Sequence, residues 1–343
     1  MLPKKAEIVE VSPRDGIQNE KTILTLDAKI SLIDRAIAAG AKRIEVTSFV
    51  NPNKVPQMAD AEQVAAALPR GKARYIGLAL NRRGFDRALA AGLDEVNFAV
   101  VLSETFSRRN QGMGTDDGIA LWHEVARAAE GRIGAGMTLA AAFGCPFEGE
   151  MPIPRMMAVL ERALEVPPAE LTLADTIGVA SPADITARVG AVRERWPELP
   201  IRLHLHNTRN TGFANAWAGI LSGVTAFDAS LGGVGGCPFA PRATGNVATE
   251  DLAYMLHRAG IDTGWDVERA AEAARWLEAQ LGAHGADPAG FDGNGQLPGN
   301  GGRGGQLADL RRYRLAYQFQ WSGAAVLPAW RALSRRYPGK PYS

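Results

Sequence analysis

Short apolar runs rich in β-branched residues recur along the chain: AEIVEV near residue 6, RIEVTSF near 43, ARYIGLAL near 73, EVNFAVVL near 95, AGMTLAAA near 135, AELTLAD near 169, IRLHLH near 201 and AFDASLGG near 226. Their length and composition predict buried strands. Between them the apolar positions repeat at helical spacing. Over residues 25 to 40, Ile30, Ile33 and Ile37 share one face, Thr25 can cap the start and Gly40 can close the end. The stretch SPADITARVGAVRERW offers Ser181 as a cap and Pro182 in the first turn, then sets Ile185, Val189, Val192 and Trp196 on one stripe. Parallel strands need crossover helices, and closure removes both sheet edges. Eight such units over roughly 260 residues therefore predict an α/β fold of the (β/α)8 TIM barrel type. A doubly wound open sheet is the competing arrangement; it would call for fewer strands or a nucleotide fingerprint after the first one.

From about residue 264 the pattern changes. One more helix, WDVERAAEAARWLEAQL, turns Ala270, Ala274 and Leu277 inward, and then comes the glycine-rich GFDGNGQLPGNGGRGG, over 290 to 305, which reads as a linker. The remainder is basic and aromatic, with Asp309 its one acid, and reads as a helical extension against the barrel or a neighbouring subunit. A phosphate contact through Arg311, Arg312 or Arg314 is the sharper alternative, set against an ordinary solvated charged face. The expected division is a catalytic barrel with its following helix over 1–283 and a linker with C-terminal extension over 284–343.

Composition narrows the class. The chain has 343 residues, 46% hydrophobic and 22% charged, with a formal net charge of +1, so nothing in it favours nucleic acid or another polyanion. Cys145 and Cys237 are too few for a disulfide framework, and MLPKKAEIVEV lacks the apolar stretch of a secretion signal. The longest apolar runs, such as GAGMTLAAAFG, fall well short of the roughly 18 residues of a membrane span. A cytoplasmic protein without membrane partners is expected.

In a barrel of this kind the chemistry collects at the C-terminal ends of the strands. There the chain carries Arg14 and Asp15 after the first strand, Glu45, Thr47 and Ser48 on the second, Asp175 at the end of the sixth, and His204 and His206 on the seventh. Side chains two apart on a strand share a face, so both histidines point the same way. Leu203 and Leu205 suit the helix-facing side, which leaves the imidazoles to line the interior. A single core histidine is most often a hydrogen-bonded structural residue, whereas a same-face pair near an aspartate suits a divalent cation. Mg²⁺, Mn²⁺, Zn²⁺ and Co²⁺ all accept such mixed nitrogen and oxygen ligands.

After the eighth strand comes SLGGVGGCPFAPRATGNVATED, in which Gly232, Gly233, Gly235 and Gly236 are expected to leave the loop free to swing, with Cys237 riding on it toward the barrel mouth. A dinucleotide loop does not fit, because no Gly-x-Gly-x-x-Gly follows the first strand. For Cys237 the loop setting argues for chemistry over an inert buried thiol; Cys145 fits the inert description better.

Together VSPRDGIQNE, IEVTSFVNPNKVPQM, LADTIGVASP, HLHNTR and SLGGVGGCPFAPRATGNVATEDL resemble the hydroxymethylglutaryl-CoA lyases, within the metal-dependent barrels that share the Arg-Asp tip and the His-x-His strand. The resemblance runs from about residue 6 to 265. It implies that Asp15, His204, His206 and Asn246 hold a divalent metal, Mg²⁺ or Mn²⁺ first, that Arg14 faces the substrate and that Cys237 is the catalytic thiol. Asp15, His204 and Glu45 join the catalytic set, and Gln18, Ser48, Asp175 and Thr176 join Arg14 in binding substrate. The implied reaction is cleavage of 3-hydroxy-3-methylglutaryl-CoA, or a close 3-hydroxyacyl-CoA, to acetyl-CoA and acetoacetate or another 3-oxo acid. It brings with it an acyl-CoA partner, a place in leucine degradation and a homo-oligomer. Asn207 stands where some members carry aspartate. Two alternatives remain: a condensing synthase of the isopropylmalate or homocitrate type acting on acetyl-CoA and a 2-oxo acid, and a non-catalytic barrel serving as a binding module.

Overall fold

A computed structural model describes residues 2–236 and 245–282. Cys237, the linker over 290 to 305 and the basic extension with Arg311, Arg312 and Arg314 lie outside the described residues. Among the described residues ten strands follow in chain order: β1 (Glu7–Glu10), β2 (Arg43–Ser48), β3 (Arg74–Ala79), β4 (Glu95–Val101), β5 (Gly134–Ala140), β6 (Gly144–Cys145), β7 (Gly149–Glu150), β8 (Glu170–Asp175), β9 (Ile201–Leu205) and β10 (Ala226–Ala229). All eight runs expected to be strands are strands, and they pair in parallel into a closed barrel of order β1-β10-β9-β8-β5-β4-β3-β2. The open-sheet alternative is thereby excluded. The small antiparallel pair β6-β7, in the loop after β5, was not anticipated; two-residue strands are too short to show a periodicity.

The helices form where capping and pattern agree. Thr25 accepts a hydrogen bond from Ala28 N–H to start the helix Leu26–Ala38, whose buried face is Lys29, Leu32, Ile33 and Ala36, with Ile30 and Ile37 only flanking it. The expected face is thus rotated, because the aliphatic stem of Lys29 runs inward until its ammonium reaches Asp60 at 2.7 Å. Ser181 and Asp184 make a reciprocal capping box for Pro182–Arg195, which buries Ile185, Val189 and Val192 and ends at a half-buried Trp196. Helix Val267–Leu281 buries Ala270, Ala274 and Leu277 as expected and is tied to the first helix by Asp266 N–H donating to Ala39 O at 2.7 Å.

The N-terminal end of the barrel is closed by ions. Arg43 reaches Glu7 and Glu95 at 2.7 Å and Glu170 at 3.1 Å, while Arg202 reaches Glu170 at 3.1 Å and Asp228 at 3.2 Å. Pairing on several sides offsets the desolvation that burial imposes on such charges. Leu203 points outward at the helix Gly212–Leu221, where a Cβ on Gly219 would come within 2.6 Å of its Cδ1. The opposite face of β9 therefore looks into the barrel, as the alternation requires.

Candidate metal and substrate site

Each side chain of the site is held by local structure at a strand's C-terminal end. After β1 the chain makes a wide helical turn over Ser12–Gly16, closed by Gly16 N–H donating to Val11 O at 3.1 Å, and this turn presents Arg14 and Asp15 to the interior. Arg14 donates from Nε to Glu45 Oε2 at 2.7 Å and from Nη1 to Asp15 Oδ1 at 2.7 Å, and its Nη2 also contacts Glu45. Glu45 therefore acts on the cavity through Arg14, whose plane it fixes.

Asp15, His204 and His206 each offer a ligand atom, all within 4.8 Å of one another. The two Nε2 atoms are 3.1 Å apart, and His204 Nε2 lies 3.9 Å from Asp15 Oδ2. Asn246, bridged to His206 across the chain, donates from Nδ2 to Asp15 Oδ2 at 2.8 Å. Its own Oδ1 is buried without a hydrogen-bond partner. The four residues expected to bind metal are therefore brought together, and two facing imidazole lone pairs, a carboxylate and an orphaned amide oxygen form a donor set that fits a divalent cation.

Electrostatics favour the ligating forms of His206 and Asp15, and the protonated form of His204 until a cation takes the place of that proton. Burial, joined by the neighbouring His204, pushes the His206 imidazole down to about 4, so it is neutral at physiological pH. Burial alone would raise the Asp15 carboxyl, but the Arg14 guanidinium and the two imidazoles hold it well below the usual carboxylate range. Burial likewise works against the charged form of His204, yet its bond to Asp228 and the charge of Asp15 keep it above the ordinary imidazole value.

The cluster opens into a cavity of about 690 Å³, whose lining includes Arg14, Asp15, Gln18, Thr176, His204 and His206. Ser48, Glu45, Asp175 and Asn246 lie around this space rather than among its lining residues. Ser48 Oγ donates to Gln18 Oε1 at 3.3 Å. The Asp175 carboxylate accepts from Val179 N–H at 2.9 Å and Ala180 N–H at 3.1 Å, so it holds the turn beyond β8, and burial raises its carboxyl against those bonds. Asn207 Oδ1 accepts from Gly212 N–H at 3.0 Å and so supports the start of the helix after β9.

In the described part of the glycine loop, Gly233 and Gly235 are closely packed. Gly233 and Gly235 have φ of +63° and +106°, and a Cβ on Gly235 would sit 2.7 Å from Asn246 Nδ2 and 2.9 Å from Gly16 Cα. Close approach, more than mobility, requires glycine here. Gly236, immediately before Cys237, lines the cavity, and its carbonyl accepts from Asn19 Nδ2 at 2.9 Å.

Asp228 was missed in the sequence, because its register opposite His204 appears only once β10 pairs with β9. So were the buried Glu10 and the pair Asn97–Thr138, joined at 2.9 Å in the cavity wall.

The HMGL-like family model matches residues 5–277. The chain is 42% identical to the (R)-citramalyl-CoA lyase of Chloroflexus aurantiacus over 80% of this chain and 90% of that protein. It is 39% identical to a hydroxymethylglutaryl-CoA lyase of Bacillus subtilis over 82% of this chain and 94% of that one. The fold superposes on an HMG-CoA lyase from Acinetobacter baumannii, solved in complex with coenzyme A and 3-methylmalate, with a TM-score of 0.78 and 36% identity over 86% of this chain and 98% of that one. Family match, barrel and site agree: the chain belongs to the HMGL-like family, and it is a carbon–carbon lyase.

Proposed function

We propose that this lyase cleaves 3-hydroxy-3-methylglutaryl-CoA, or a close 3-hydroxyacyl-CoA such as citramalyl-CoA, with release of acetyl-CoA. The observation that carries the reading is the convergence of Asp15, His204 and His206 within 4.8 Å at the wall of a cavity that also presents Arg14. The relatives named for these two thioesters support both substrates. A CoA-bearing relative of the same fold supports the thioester class.

Retro-Claisen cleavage removes the C3 hydroxyl proton, breaks the C2–C3 bond, leaves the electron pair as a thioester enolate and returns a proton to C2. Asp15, His204, His206 and Asn246 would hold a divalent cation, Mg²⁺ or Mn²⁺ by preference, which when bound acidifies the hydroxyl and polarises the carbonyl being formed. His204 and Asp15 line the cavity and are assigned as the bases for that proton, and Asp15 stays ionised because Arg14 stands beside it. The Arg14 guanidinium, locked in plane by Glu45, offers positive charge to the enolate oxygen. Cys237, next in sequence after the cavity-lining Gly236, is assigned the proton delivered to C2. Gln18 and Thr176 line the remaining polar wall.

The test is direct. Purified protein with Mn²⁺ is incubated separately with 3-hydroxy-3-methylglutaryl-CoA, citramalyl-CoA, and acetyl-CoA plus a 2-oxo acid, and products are identified by mass. Acetyl-CoA with acetoacetate from the first, or with pyruvate from the second, is expected. Free CoA appearing only in the third mixture would replace cleavage by condensation.

A further inference from the structure

Glu10, the last residue of β1, is fully buried yet belongs to neither the ligand cluster nor the cavity wall. Among the described residues its hydrogen bonds come from neutral donors on three separate segments. Oε1 accepts from Ser12 N–H at 2.8 Å and from Leu231 N–H at 3.1 Å, and Oε2 accepts from Thr249 Oγ1 at 2.7 Å. Burying a carboxylate with no cation against it is costly, and hydrogen bonds of this number and geometry are what make it tolerable.

Each segment carries part of the site. Ser12 opens the turn that bears Arg14 and Asp15. Leu231 opens the turn leading to Val234, whose carbonyl accepts from Asn246 Nδ2 at 3.1 Å. Thr249 begins the helix Thr249–Arg258, three residues beyond Asn246. The two oxygen-bearing residues, Asp15 and Asn246, are themselves 2.8 Å apart, although 231 positions separate them in the chain. Nothing covalent near the site fixes that distance. Backbone bonds tie the Leu231 and Thr249 segments to each other, Thr249 N–H donating to Ser230 O at 3.1 Å, and the Glu10 carboxylate joins both to the Ser12 turn.

We infer that Glu10 is a positioning residue for the oxygen half of the metal site: it holds the Asp15 turn and the Asn246 segment in register through Ser12, Leu231 and Thr249. The inference rests on the metal reading above, but asks for a different result. A residue that serves only the stability of the barrel would change unfolding and leave cation affinity alone.

Mn²⁺ binding to the full-length chain, measured by calorimetry or by loss of the free-ion electron paramagnetic resonance signal, separates these roles. Glu10→Ala is expected to weaken Mn²⁺ binding about 10- to 100-fold, the range found when groups that orient metal ligands are lost. Glu10→Gln keeps one oxygen for the two N–H donors and can donate to Thr249, so it is expected to stay close to wild type. Val189→Ala, on an outer helix, should lower the unfolding midpoint and leave Mn²⁺ binding unchanged. Should Glu10→Ala not fold, Thr249→Val against Thr249→Ser decides: the valine, lacking the donor, weakens binding several-fold, and the serine restores it. Wild-type affinity in folded Glu10→Ala, or equal affinities in the two Thr249 variants, overturns the assignment. Equal weakening by Val189→Ala also overturns it. Wild-type protein that binds no Mn²⁺ would instead remove the cation itself, and this inference with it.

Discussion

His204 Nδ1 lies 3.1 Å from Asp228 Oδ2, across the β9–β10 pairing in which the two residues sit side by side. Asp228 is pinned in turn by Arg202 at 3.2 Å, so the imidazole is anchored to the ionic closure of the barrel floor. A carboxylate at Nδ1 requires the proton there, which leaves the Nε2 lone pair for the cluster. Asp228→Asn removes the charge while keeping the shape. It is expected to weaken Mn²⁺ binding about 10- to 100-fold and to lower turnover with it. Calorimetric titration checks the first effect, and unchanged affinity would show that the tautomer is fixed by something else.

The His204 and His206 Nε2 atoms, 3.1 Å apart, need a positive centre between them, either a shared proton or a cation. Chelated protein should therefore lose cleavage and regain it on addition of Mg²⁺ or Mn²⁺. A cation bound only to the folded state at a hundred times its dissociation constant stabilises by about 2.7 kcal/mol, so the unfolding midpoint should rise with Mn²⁺. Full turnover after exhaustive chelation, with no shift in midpoint, would exclude a resident metal.

The barrel was legible because eight apolar runs alternate with helical stretches, a pattern that depends only on local spacing. The direction of the histidines was legible for the same reason, since Leu203 and Leu205 claim the outer face. What lay hidden depends on long-range register. Nothing in AEIVEV marks Glu10 as more than a charged position in a strand, yet it is fully buried, with β1 against β10 in the closed barrel and Thr249, 239 positions away, donating to its carboxylate. Asp228 reads as a break in an apolar run, and only the pairing with β9 gives it a partner. The helical face is rotated toward Lys29, and residue type alone cannot show that a partly exposed Asp60 waits for the ammonium. Residue type suggests mobility for the loop glycines and cannot show that at Gly235 the approach of Asn246 and Gly16 leaves no room for a side chain.

Cys237 is expected to supply a proton late in the reaction, after the carbon–carbon bond has broken. Cys237→Ala should then lower kcat about 10²- to 10⁴-fold, the usual range for loss of a general acid, while substrate KM and Mn²⁺ affinity stay near wild type. Steady-state kinetics with 3-hydroxy-3-methylglutaryl-CoA measures this. An alanine variant with wild-type kcat would take the thiol out of the mechanism.

Glu250 is the second residue of the helix Thr249–Arg258 that follows Asn246, is fully buried, and accepts from Gly232 N–H at 3.1 Å. Burial, reinforced by the nearby acids Asp251 and Glu10 and opposed by backbone hydrogen bonds, pushes its carboxyl from 4.5 up to about 8. The folded chain thus holds a proton that the unfolded chain releases near pH 4.5, so between those values the folded state binds more protons and stability falls as pH rises. The contribution is fully present below pH 4.5 and lost by the time pH has passed through about 8. At roughly 1.4 kcal/mol per unit, its size is on the order of a few kcal/mol. Glu250→Gln carries no titrating group but keeps an oxygen for Gly232, and should lack this component. Urea unfolding of both proteins at pH 5.5 and pH 8.5 isolates it: the glutamine variant should gain on wild type at the higher pH. A stability difference between the two proteins that stays constant from one pH to the other would mean that Glu250 ionises as readily inside the barrel as in the open chain.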